Sequence, residues 1–242
     1  MFAVDHAATA LLLERRFPSV ALTPLLVSVQ AMELAWVGLN FLGVERTTTE
    51  DSVRSVADIH LAYMPFSHSV ATAAGAALLA WVVAEKGLGR PLLGRAIAIG
   101  ILSHLILDLL THARDIVFWP GSPLPALGLG LYDRAPMWGF TLEMLYGVFC
   151  WWVYRGSRAL LAVIVLGNLG NLTLFSAAIP GPEEYLAGRP LMVVTVVFVQ
   201  IVTTLLLVGV FARRAQPVTQ GRAPNLGRSG GSDKPHPRFE EG

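Results

Sequence analysis

Apolar residues in this chain gather into long runs, at 21–43, 70–84, 92–110, 137–154, 159–180 and 191–212. A helix rises about 1.5 Å per residue, so roughly twenty apolar residues cover the ~30 Å hydrocarbon core of a bilayer. Runs of this length differ from the short amphipathic stripes of a soluble domain. The pattern predicts an all-α fold, a polytopic transmembrane helical bundle of about six to seven spans with short connections. A shorter apolar stretch, 2–13, precedes the first run. At about 18 Å it falls short of the bilayer core. It lacks the basic start of a signal peptide and carries Asp5 and His6, so it reads as part of the bundle.

Composition agrees with this picture. The 242 residues are 54% hydrophobic and 14% charged, with a mean hydropathy of +0.56, whereas soluble proteins are about 25% charged. A net charge of +1 provides no field to attract nucleic acid, which excludes that class of partner. The single cysteine, Cys150, lies inside an apolar run, so there is no disulfide framework.

Lys and Arg are lopsided between alternate loops. Arg15, Arg16, Lys86, Arg90, Arg95, Arg155, Arg158, Arg213 and Arg214 fall on one side, against Arg46, Arg54, Arg114, Arg134 and Arg189 on the other. Basic residues are retained inside, which places the N-terminus outside and the C-terminus in the cytoplasm of a multi-pass protein, expected in a bacterial inner membrane. From about residue 215 the chain turns to Gly, Pro, Ser and charge. Residues 1–214 therefore read as one transmembrane helical domain and 215–242 as a disordered cytoplasmic tail.

Ionisable groups inside a bilayer cost about 2.5 to 3.5 kcal/mol each, so each one in a span is a functional candidate. The run SHLILDLLTH places His104, Asp108 and His112 at i, i+4 and i+8, one stripe of a helix, and His104 with Asp108 form a plausible ligand pair. Counting rise per residue from the inner ends of the spans puts Glu33 and His104 both at about 20 Å, and Asp108 at about 26 Å. Glu143 comes to a similar level, and His6 and His68 lie near the outer ends of their segments. His6, Glu33, His68, His104 and Asp108, with His112, His60, Asp58 and Glu143 nearby, can face one polar cavity open to the outside.

Imidazole with carboxylate suits zinc, manganese or iron better than magnesium or calcium, and more than four donors leave room for more than one ion. The expected metal ligands are His6, Glu33, His68, His104, Asp108 and His112, with Glu33 or Glu143 as general base. Other polar residues have simpler readings. Gln30, Asn40, Asn168, Asn171 and Gln200 suit interhelical hydrogen bonds. Glu45, Glu50 and Asp51 read as a solvated loop, and Ser67 as a helix N-cap. The glycines of LGLGL at 127–131 lack the context of a nucleotide-binding turn.

The segments PFSHS at 65–69, SHLILDLLTHARDIVFWPGSP at 103–123 and LGLGLYDRAP at 127–136 resemble the YdjM-like family of membrane-bound, metal-dependent hydrolases. The resemblance covers roughly residues 1–154 and includes a histidine on a short first helix, here His6. The acidic residue on the next helix is usually aspartate, where this chain has Glu33 in AMELAW, and the paired Asp-x-Asp of many members is absent. The resemblance implies a hydrolase distantly similar to zinc-dependent phospholipase C and P1-type nucleases, with His6, His68, His104 and Asp108 as carried-over ligands.

The expected function is an integral-membrane, metal-dependent hydrolase, zinc the foremost ion, acting on a phosphoester or lipid-linked substrate at the non-cytoplasmic face. Its expected partners are membrane lipids and that substrate. The alternatives are a transport or metal-handling protein built on the same ionisable stripe, and a structural membrane protein. Transport needs a path through the membrane, and the inner half of the 92–110 run, GRAIAIGIL, offers no acid or histidine.

Overall fold

The structure, a computed structural model, describes residues 1–212. The expected tail, with Arg213, Arg214 and His236, lies outside the described residues. Nine α-helices follow in order: α1 (Ala3–Arg16), α2 (Leu22–Val29), α3 (Ala31–Phe41), α4 (Val70–Val82), α5 (Pro91–Thr111), α6 (Leu131–Arg134), α7 (Pro136–Tyr154), α8 (Arg158–Leu169) and α9 (Pro190–Phe211), among the described residues. Proline opens α5, α7 and α9, where its missing N–H costs nothing and its fixed φ suits the first turn.

Three helices are long and apolar enough to cross a membrane: Val70–Gly87, where α4 continues through a π-turn, Pro91–Thr111 and Pro190–Phe211. Together, α2 and α3 would make a fourth, bent by 52°. The expectation of six to seven spans is therefore corrected to three or four by length and composition. The shortfall has physical causes. Helix α1 has 14 residues and several charged ones, and α8 has 12 before the chain breaks into 3₁₀ turns at Leu172–Phe175. The 21–43 run is divided at Gln30, although no glycine or proline marks the break.

Helix α1 is the axis of the bundle. It packs against α2, α5, α7, α8 and α9, and ten of its fourteen residues are buried. One apolar cluster gathers Leu11, Leu25, Tyr154, Leu160 and Val208 at one end, and a second gathers Met32, Trp36, Ala73, Leu105 and Ile201 toward the other. Small residues bring α4 and α5 close: a Cβ on Gly94 would stand 2.8 Å from the Trp81 carbonyl oxygen. Outward faces remain apolar, with Leu78, Leu79, Ile106 and Leu206 all more than half exposed.

Among the described residues the helices are joined by one antiparallel hairpin, β1 (Arg46–Thr49) and β2 (Ile59–Tyr63), in the loop between α3 and α4, and by isolated bridges Ser69 to Val117 and Ile116 to Leu127. A bulge shifts its register between Arg46 and Thr48. The far end of α5 is clasped by the glycine-rich segment: Leu129 N–H donates to the Leu109 carbonyl and Gly130 N–H to that of His112. Gly128 has φ +140°, and a Cβ there would fall on the Ala113 carbonyl, so only glycine passes this point. These glycines hold the helix end that carries His112.

Candidate metal centre

Four side chains from three regions converge inside the bundle. Helix α5 supplies His104 and Asp108 one turn apart, α3 supplies Glu33, and the turn before α4 supplies His68. His68, His104 and Asp108 are at most 1% exposed. The Nε2 of His104 lies 3.0 Å from Asp108 Oδ2 and 3.5 Å from Glu33 Oε2. The Nε2 of His68 lies 3.3 Å from Glu33 Oε2 and 3.5 Å from Asp108 Oδ2. The two Nε2 atoms are 3.4 Å apart. Donors on a tetrahedron with bonds of about 2.0–2.1 Å stand about 3.3–3.4 Å from one another, so these four side chains could hold one metal ion.

The outer nitrogens fix the chemistry of the inner ones. His104 Nδ1 lies 2.8 Å from the Val29 carbonyl, which can only accept, so Nδ1 carries the hydrogen and Nε2 presents a lone pair. The bend at Gln30 turns that carbonyl toward α5, and Gln30 itself donates to the Ala3 carbonyl at 2.7 Å.

His68 is held by a longer relay. Glu45 Oε1 accepts the amides of Phe66 and Ser67, both at 2.8 Å, and Ser67 Oγ donates to Glu45 Oε2 at 2.6 Å. With its only hydrogen given to Glu45, Ser67 Oγ accepts from His68 Nδ1 at 2.8 Å. Both imidazoles thus turn lone pairs inward, the arrangement by which outer carboxylates and carbonyls orient metal-binding histidines.

Burial works against a charge on His68, but its contacts with Asp108 and Glu33 outweigh that and raise its pKa to about 10. Without another cation the cluster keeps a proton on His68.

The remaining expected site residues occupy two other places. His6 stacks on His104 with centroids 3.9 Å apart, and its Nε2 is 3.2 Å from Asp108 Oδ1. His112 Nε2 is 3.6 Å from the same oxygen, and the α-amino group of Met1 is 2.6 Å from it. Glu143 stands apart: it accepts the hydroxyl of Tyr132 and, at 3.3 Å, the amide of Phe2, and it shares a hydrogen bond with Asp5. Burial, with the charge of Glu143, pushes the Tyr132 phenol well above its ordinary range and keeps it protonated.

A cavity of about 110 Å³ adjoins the cluster, lined among others by His6, Glu33, His112, Tyr132 and Gln200. It has room for several waters.

Three expectations are corrected. Glu45 is buried rather than solvated, and the N-cap of α4 is Ser69, which accepts from Thr72, leaving Ser67 free for the relay. His60 and Asp58 do not join the cluster. His60 is exposed and pairs with Glu50 at 2.7 Å, and Asp58 accepts the amides of Arg54 and Ser55 in the hairpin loop. The interhelical reading fits Asn168, which donates to Asp5, and Gln200 of α9 reaches Asn171 just past the end of α8, whereas Asn40 donates to the Trp36 carbonyl of its own helix and accepts from Thr47.

No protein family, no curated protein and no solved structure matches this chain.

Proposed function

We propose that this chain is an integral-membrane, metal-dependent hydrolase that holds a zinc-class ion between Glu33, His68, His104 and Asp108. One observation carries the reading: two imidazole nitrogens each lie 3.0–3.5 Å from the same two carboxylate oxygens, with each outer ring nitrogen already engaged. Two carboxylates so close to two imidazoles need positive charge among them, which the proton on His68 supplies in the empty cluster and a metal ion supplies in its place.

An ion held there supplies Lewis acidity and stabilises negative charge developing on a reacting oxygen. The chain supplies the remainder. Glu33 is 21% exposed, so the ligand cluster opens to the cavity at that side. Tyr132 lines the same cavity, and its hydroxyl leads to Glu143, which offers a buried carboxylate as the end point for a proton released by the reaction. Phe2, Leu61 and Val197 form apolar wall and limit water.

The substrate class is a phosphoester in a lipid or lipid-linked compound. Helix α9 contributes Val197 and Gln200 to the cavity and turns apolar residues such as Leu206 outward, so a ligand dissolved in lipid meets the site from the side. In this reading the bundle sits in a bacterial inner membrane with the site toward the non-cytoplasmic face. The likeness of its motifs to the YdjM-like hydrolases points the same way.

The test is metal analysis of the purified protein together with turnover of phosphoester lipids. Stoichiometric transition metal in wild type, lost in His104→Ala together with hydrolysis, is expected. Wild type without metal, or His104→Ala that keeps all of it, overturns the reading. Metal-dependent flux in proteoliposomes without ester turnover would replace hydrolysis by transport.

A further inference from the structure

The end of the bundle opposite the metal centre carries charge of one sign. Arg15 and Arg16 close α1, Arg90 and Arg95 stand at the start of α5, and Arg155 and Arg158 join α7 to α8. Among the described residues none of these six arginines forms an ion pair. Glu85, at the end of α4, is engaged elsewhere: it lies 3.6 Å from Lys86 and accepts from Trp81 Nε1 at 2.6 Å.

Two adjoining recesses open between the α1–α2 turn and the α4–α5 hairpin. The larger, of about 680 Å³, is walled by Arg16, Phe17, Trp81, Leu92, Arg95 and Ile99. The smaller, of about 550 Å³, shares Ser19 and Leu92 with it and adds Arg90. No carboxylate lines either one. Within the larger recess polar and apolar parts are ordered. Leu92, Arg95 and Ile99 follow one face of α5 at steps of three and four. Helical side chains lean toward the N-terminus, so Arg95 reaches back toward the hairpin turn while Ile99 lies a turn deeper. The Arg16 guanidinium is 5.4 Å from the Phe17 ring centroid. Trp81, Leu92 and Ile99 are each 40–49% exposed, so the apolar wall faces outward. Helices α4 and α5 are both long and apolar enough to cross a membrane, and at their joined ends a tryptophan beside arginines suits the boundary of hydrocarbon and water.

We propose that this recess binds an anionic phospholipid, its phosphodiester between Arg16 and Arg95 and an acyl chain along Trp81, Leu92 and Ile99. Guanidinium groups meet phosphate oxygens with paired N–H donors, and basic pockets between membrane helices select anionic headgroups. Charge complementarity chooses among lipids: a zwitterionic headgroup would bring an ammonium among arginines where no carboxylate receives it. The apolar wall chooses lipid over free phosphate, which would leave that wall uncovered. Arg95 precedes His104 on α5 by nine residues, about 14 Å of helix, so the site is independent of the metal ligands.

The test uses the full chain in neutral detergent, with phosphatidylglycerol and phosphatidylcholine of matched acyl chains as probes. Native mass spectrometry should show phosphatidylglycerol retained and phosphatidylcholine lost, and only the former should raise the melting temperature. Arg16→Gln combined with Arg95→Gln should weaken phosphatidylglycerol binding by about 10- to 30-fold. Arg46→Gln combined with Arg54→Gln, the same charge change in the α3–α4 loop, should leave it unchanged. Equal retention of the two lipids by wild type overturns the site without any variant having to fold. Equal losses in the two double variants overturn it too, since general charge would then be the cause. A melting shift reproduced in full by inorganic phosphate would replace the lipid by a free anion.

Discussion

The Nδ1 of His104 lies 2.8 Å from the carbonyl oxygen of Val29, a residue 75 positions earlier in the chain. The contact exists because the second and third helices meet at an angle of 52°. Gln30, at the corner, is fully buried and pins that corner to the Ala3 carbonyl. Replacing Gln30 by leucine should strand the Ala3 carbonyl at a cost of about 1–3 kcal/mol and loosen the orientation of His104. Weaker metal binding in Gln30→Leu, measured by competition with a chelator, is the expected result, although Gln30 touches no donor atom. Unchanged affinity would show that Val29 is a bystander.

The relay from Glu45 through Ser67 to His68 makes a sharper forecast. Outer partners of metal-binding histidines are worth about 10–100-fold in affinity. Ser67→Ala removes the acceptor for His68 Nδ1 and should lower zinc affinity by about that factor. Glu45→Gln should do the same to a smaller extent, since an amide oxygen can still accept from Ser67. Calorimetric titration with zinc checks both, and equal affinity across the three proteins would refute the relay.

Proton and metal compete for the cluster. The pKa of His68 is raised from its ordinary value of 6.5 to about 10 in the metal-free protein. A raised histidine stabilises the fold fully below 6.5, and that contribution is lost as pH climbs through 10. Metal-free protein should therefore lose thermal stability between these values, whereas zinc-loaded protein, with the ion in place of the proton, should not. Parallel losses in both forms would contradict the assignment.

Helix packing behind the site is equally testable. A methyl group on Gly147 would stand 2.7 Å from Ile164 Cγ2 and 2.8 Å from Asp5 Oδ1. Gly147→Ala should cost about 1–3 kcal/mol by overpacking and push α7 away from α1, next to His6. The expected readout is a lower melting temperature in detergent, and an unchanged one would mean that the helices separate freely.

Much of this was legible in the sequence, and the exceptions are instructive. The runs at 92–110 and 191–212 match α5 and α9 to within a residue at each end, because proline marks both starts and apolar length marks both bodies. Counting helical rise was enough to bring Glu33, His104 and Asp108 to one depth, and they do meet. Glu45 was not legible: it lies 22 residues before Ser67, and only the hairpin between them folds it back. The corner at Gln30 was equally hidden, since VSVQAME holds no helix breaker and the contact Gln30 makes there, with the Ala3 carbonyl, is 27 residues away. Spans were overcounted because hydropathy measures apolar length, while α8 stops after 12 residues.

Helix α1 is too short and too polar to be stable in lipid alone, and the helices that pack on it among the described residues run from α2 to α9. During synthesis it emerges before any of them. The segment that carries His6 thus has its full set of helix contacts only when α9 has been made, so completion of the buried histidine cluster's surroundings is a late event in synthesis. A chain cut short before α9 would leave α1 without one of its five partner helices.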